Sequence, residues 1–155
     1  MTYNIKKRCV QMAAIAVLAA PLTLALFTDQ ATAHKSAHDA ATLKAFQDEF
    51  MNWVVLGDRL YHGDAAAAQE TGVTLSKTGM ACAMCHPIGS DIHPHEFPKF
   101  QEQMSEFATL RDMINWCIEK PNEGERIDPD GDAMKALETY MYWSATGSAL
   151  APGTH

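Results

Sequence analysis

Apolar residues recur at steps of three and four along three stretches of the chain. Between Ala37 and Tyr61 they fall at Leu43, Phe46, Phe50, Trp53, Val54, Gly57 and Tyr61, with Lys44, Gln47, Asp48 and Asn52 on the opposite side. That period predicts a helix with one buried face. A second helix is expected over 99–119, with Phe100, Met104, Phe107, Leu110, Ile114, Cys117 and Ile118 inward. A third starts near Asp130 or Asp132, residues suited to capping, and runs to about Ala145. It carries Met134, Leu137 and Met141 on one face and Ala136, Tyr140 and Trp143 on the next, an apolar arc wide enough to pack on two sides. No stretch alternates with the period of two that marks a strand, so an all-α domain is expected.

The segments between these helices are punctuated. Residues 62–81 read as loop with a short helical turn near Asp64–Glu70, and Pro87, Gly89, Pro94 and Pro98 break the next stretch. Pro121 and Gly124 end the second helix, and PNEGERIDPDGD is a polar connection. Asp128, Asp130 and Asp132 alternate as calcium ligands do. The glycine of an EF-hand loop belongs two positions beyond Gly131, however, and its twelfth position falls on Thr139, so a turn with a helix cap is the better reading. Gly57 inside a helical pattern is either a point of close approach by another helix or a gap that weakens the helix.

The amino terminus has its own organisation. Lys6, Lys7 and Arg8 precede an apolar run from Val10 to Phe27, and Ala31-Thr32-Ala33 follows. This order is that of a secretory signal peptide cleaved after Ala33, with Pro21, Thr23 and the A-x-A site arguing against an uncleaved anchor. Residues 1–33 are therefore expected to be removed and 34–155 to form one exported domain, placed in the periplasm. The whole chain carries a net charge of −7. Removing three basic residues and Asp29 with the leader makes the mature chain about nine negative. Such a surface disfavours nucleic acid and anionic lipid and suits a redox partner with a basic docking face.

Cysteine arithmetic then points to chemistry. Cys9 lies in the leader, Cys82 and Cys85 stand in CAMCHP, and Cys117 is left alone in a protein sent to an oxidising compartment. Cys82-Ala-Met-Cys85-His86 has the spacing by which two thiols take the two vinyl groups of haem c while the adjoining histidine binds the iron. A thiol–disulfide redox pair would need a βαβ setting, and a zinc site a second ligand pair; neither pattern is present. Covalent attachment suits a small domain whose core is thin without the ring, so the apo-chain is expected to be loose or unfolded.

The residue on the other side of the iron is less determined by pattern. Met134 and Met141 lie downstream but in a helical apolar stripe, where core packing is the plainer explanation, as it is for Met104 and Met113. Met80 and Met84 are too close to the motif to reach across. His93 and His95 form an H-x-H pair in a proline-rich loop with nothing evident to complete a metal site, so a solvated loop is expected there, with a role as sixth ligand the alternative. His34, His38 and His155 lie near the mature termini, and His62 is open. Cys117 aligns with Phe107, Leu110 and Ile114 on the expected helix, so its thiol should point inward, where an unpaired cysteine is commonly a small buried hydrophobe.

A resemblance weighs on that choice. The segment LRDMINWCIEKPNEGERIDPDGDAMKALETYMYW, from Leu110 to Trp143, resembles the distal half of the haem domains of thiosulfate dehydrogenase, of the A subunit of the thiosulfate-oxidising (Sox) complex and of small His/Cys monohaem cytochromes. In those families a helical cysteine, followed by a glutamate-and-glycine loop and a helix ending in aromatics, binds the haem iron. The resemblance implies a cytochrome c-like helical fold, Cys117 as distal ligand and His86 as proximal ligand. Gly57 and Tyr61 are similar to the glycine and aromatic of the first cytochrome c helix. The enzymes are similar to two such domains in tandem, whereas CxxCH occurs once here. The ligation therefore carries over, and the enzymatic activity does not.

The expected function is electron transfer through one low-potential His/Cys haem, because a thiolate favours ferric iron where methionine raises the potential. Two alternatives remain: a haem subunit of a thiosulfate-oxidising enzyme, and a nitric oxide or carbon monoxide sensor in which Cys117 leaves the reduced iron. A heterodimer with another small cytochrome is implied by the resemblance alone.

Overall fold

The computed structural model describes residues 38–153; the leader, Cys9, His34 and His155 lie outside them. Among the described residues α1 spans Ala40–Tyr61, α2 Ala65–Thr71, α3 Leu110–Glu119 and α4 Asp132–Ser144. Three short 3-10 turns, Cys82–Met84, Gly89–Ile92 and Pro94–Glu96, occupy the haem motif and the segment after it, and an antiparallel hairpin joins β1 (Lys99–Gln101) to β2 (Glu106–Ala108). The domain is helical, as expected, apart from this hairpin.

The hairpin corrects the helix expected over 99–119. Only its second half is helical, and the described residues do contain strands. Phe100 and Phe107 are seven apart, which reads as two helical turns but equally sets the two opposite each other across a hairpin. Pro98 precedes β1, and Ser105 adopts φ 57° in the turn, a left-handed conformation that no helix continues through. Both phenylalanines are exposed rather than buried. Thr109 then starts α3: its hydroxyl accepts from the Asp112 N–H, and the Asp112 carboxylate accepts from the Thr109 N–H at 2.9 Å.

The main seam of the fold is between α1 and α4, and Gly57 is what lets it close. A Cβ built on Gly57 would lie 2.0 Å from the Ala136 carbonyl oxygen and 2.7 Å from Tyr140 Cβ. Of the two readings of this glycine, close approach is correct. Val54, Leu60 and Tyr61 of α1 meet Ala133, Met134, Ala136, Leu137, Tyr140 and Met141 of α4 in one core, with Leu110, Ile114 and Ile118 of α3. Trp143 departs from the expected arc and is exposed, as are Leu43, Phe46 and Phe50 of α1. For the three α1 residues the reason is length: α1 has 22 residues and α4 has 13. At about 1.5 Å per residue the first helix overruns the second by roughly 13 Å. Gly131, rather than an aspartate, caps α4 and offers no side-chain bond; Asp128 instead closes the turn by accepting from the Asp130 N–H at 2.9 Å.

Candidate functional site

The haem motif sits in a 3-10 turn whose backbone is pinned from below by α1. Tyr61 is fully buried, and its hydroxyl donates to the His86 carbonyl at 2.6 Å and lies 3.1 Å from that of Ile88. Burial, with negative charge at Cys82 next, pushes this phenol well above its ordinary pKa, so it remains a donor. The His86 N–H donates to the Cys82 carbonyl at 3.0 Å, closing the motif on itself. Gly89 fits against α4, where a Cβ would come within 2.7 Å of Ser144 Oγ and 3.0 Å of Tyr140. The segment that bears Cys82, Cys85 and His86 is thus held by both long helices.

Cys117 reaches the same region on α3. Leu110, Ile114 and Ile118 turn into the core, while Met113, Trp116 and Cys117 form a neighbouring face only partly covered by protein. Beyond Cys117 the chain is stitched to the segment leading into the motif. The Lys77 N–H donates to the Asn122 carbonyl at 2.9 Å, and the Glu125 N–H to that of Thr74 at 2.8 Å. Gly124 lies flat on that segment, where a Cβ would come within 2.5 Å of the Leu75 carbonyl oxygen. Buried Asn115 clamps the next stretch by bonding both the N–H and the carbonyl of Ile127, at 2.9 and 3.0 Å. These bonds fix the end of α3 relative to the haem motif.

The three thiols share one electrostatic environment. Burial pushes Cys117 up to about 11, and charge at Cys85 adds to it. Burial likewise pushes Cys82 up to about 11, with charge at Cys117 the next cause. In the polypeptide alone Cys82 and Cys117 are therefore neutral thiols at neutral pH, and a thiolate at position 117 requires a cation against its sulfur. None of the three is in a disulfide. A cleft of about 490 Å³ opens beside Cys82 and Met84 and is lined by Leu60, Val73, Leu75, Met80 and Asn122; it does not take in Cys85, His86 or Cys117.

The other candidates are dispersed. Met134 and Met141 are core residues, and Met113 accepts a bond from Gln101 at 3.0 Å. Met84 is exposed. His62 is exposed, with Nδ1 2.9 Å from the Asp58 carbonyl, and His38 stands against Phe46 near the start of α1. His93 and His95 do not form the simple solvated loop expected. Buried Glu96 lies with them, and the sequence reading missed it because a glutamate between histidine and phenylalanine carries no signal of burial.

Two thiols spaced for two vinyl groups, an adjoining imidazole and a partly covered apolar face fit haem c, and the whole defines a helical c-type cytochrome domain. The sequence model of the SoxA/TsdA cytochrome c domain matches residues 73–150, and the chain belongs to that family. Its cofactor is covalently bound haem c. The chain is also 29% identical over 70 residues to a thiosulfate dehydrogenase of Psychrobacter arcticus, a match covering 40% of this chain and 21% of that protein. The chain thus spans about a fifth of the length of that relative. No helix among the described residues is long and apolar enough to cross a membrane.

Proposed function

We propose that this cytochrome is an exported single-electron carrier in which His86 and Cys117 hold the haem iron from its two sides. The observation that carries the reading is the placement of Cys117. It lies on the partly covered face of α3, within electrostatic reach of both thiols of the attachment motif. Bound haem c supplies a one-electron ferric/ferrous couple. Cys82 and Cys85 anchor the ring, and Tyr61 holds the His86 backbone in place. Cys117 gives up its proton on ligation, and the resulting thiolate favours the ferric state, which sets a low potential. The leader places the mature chain, beginning at His34, in the periplasm, where its negative surface suits a basic redox partner. An intact mass equal to residues 34–155 plus one haem checks the processing.

The similarity to a thiosulfate dehydrogenase favours a second reading, a haem subunit of a thiosulfate-oxidising enzyme. Against it stands the single CxxCH in this sequence. A redox titration and a dye assay separate the two. The carrier reading expects a low potential that rises in Cys117→Met, rapid exchange with a basic redox partner, and no thiosulfate-dependent dye reduction by the purified protein. Thiosulfate turnover by the protein alone would establish the enzyme instead.

A further inference from the structure

The loop after the haem motif gathers a second set of metal-binding side chains. One donor atom from each of His93, His95 and Glu96 can be chosen so that all three lie within 4.8 Å of one another. The two imidazoles stand with ring centroids 5.8 Å apart, and His93 Nδ1 is 3.6 Å from Glu96 Oε1. Glu96 is fully buried, and Lys99 engages its other oxygen, Oε2, at 2.6 Å. Backbone bonds brace the arrangement from the carboxyl-terminal tail: the Ala151 N–H donates to the His95 carbonyl at 3.1 Å and the Gly153 N–H to that of Glu96 at 3.2 Å.

A structural ion pair between Glu96 and Lys99 accounts for part of this. It does not account for His95, whose Nδ1 is buried without a hydrogen-bond partner. Leaving a polar atom in that condition is costly, and such atoms are rare in folded proteins. A cation bound by that imidazole would give the ring a partner, and the His95 ring offers a donor atom within 4.8 Å of donors from Glu96 and His93. Lys99 opposes a cation by its charge, but at Oε2, whereas Oε1 is turned toward His93.

We propose that His93, His95 and Glu96 form a binding site for one divalent cation of the zinc type, separate from the haem iron. Two imidazoles and one carboxylate make a borderline donor set that suits zinc and its first-row neighbours over calcium or magnesium. Three protein ligands leave a position for water or an outside ligand, as in exchangeable rather than closed structural sites. Bonds of about 2.0–2.1 Å put tetrahedral donors roughly 3.4 Å apart, so the side chains close by up to about 1.4 Å on binding. His93 is the exposed member of the three.

Calorimetric titration of chelator-washed mature holoprotein with zinc chloride tests this. One equivalent should bind, and His93→Asn and His95→Gln should each weaken binding at least tenfold. Asparagine is chosen because it tolerates the left-handed backbone of residue 93, φ 53°. The ferric haem spectrum should be identical in both variants. Absence of saturable binding, or undiminished affinity in both variants, overturns the site. An altered haem spectrum in either variant also overturns it, because it assigns that histidine to the iron.

Discussion

The two sides of the core are closed by different means. The α1–α4 seam is completed by protein alone: Gly57 brings the backbones together, and Ala133, Met134, Ala136, Leu137 and Met141 fill the contact with almost no exposure. On the other side α3 buries Leu110, Ile114 and Ile118 but leaves Met113, Trp116 and Cys117 partly uncovered, next to the attachment motif. The seam is a solved packing problem. The α3 face leaves a thiol among apolar groups only partly covered by protein, and in the proposed reading the haem covers it. Stability should therefore respond most to the first region, and spectroscopy to the second.

The largest effect is expected at the seam. Gly57→Val puts three extra carbons where a single Cβ already meets the Ala136 carbonyl at 2.0 Å. The cost should be at least several kcal/mol, in the range that is exceptional for one substitution. Holoprotein yield and thermal unfolding measure it, and normal accumulation of the variant would contradict the tight seam. Next is removal of the attachment itself. Cys82→Ala with Cys85→Ala should give a chain without covalent haem that loses its near-ultraviolet circular dichroism and its cooperative melt, because the α3 face has nothing to pack against. A well-melting variant would show that protein closes both sides.

Leu137→Ala sharpens the contrast. Leu137 is fully buried in the seam, so truncation should cost about 2–5 kcal/mol in denaturant unfolding while leaving the haem spectrum unchanged. Smaller again is Tyr61→Phe, which takes the hydroxyl from the His86 and Ile88 carbonyls. Loss of the donor should cost about 1–3 kcal/mol and alter the haem environment measurably, since the carbonyl belongs to His86, the proposed proximal ligand. An unchanged redox potential in that variant would show that Tyr61 supports only the fold.

Much of this architecture was legible from residue pattern. The stripe of α4, the helical turn at α2 and the attachment motif follow from local spacing, and tertiary contacts reinforce what the sequence prefers there; at Gly57 spacing left two readings open, and the approach of Ala136 decides between them. The hairpin at 99–108 was not legible, because Phe100 and Phe107 satisfy both a helical period and a cross-strand pair, and backbone geometry at Pro98 and Ser105 decides between them. Nor was the exposure of Leu43, Phe46 and Phe50, since periodicity shows that a face is apolar but not whether a partner helix is long enough to cover it. Glu96 escaped for the opposite reason: its burial depends on Lys99 and on the returning tail, which no local pattern announces.

The assignment of Cys117 bears most weight, and low-temperature electron paramagnetic resonance of the ferric protein tests it directly. Thiolate ligation predicts a low-spin signal with compressed g-spread that disappears in both Cys117→Ala and Cys117→Met. The same signal in wild type and both variants would contradict it and return the distal position to a histidine or a methionine.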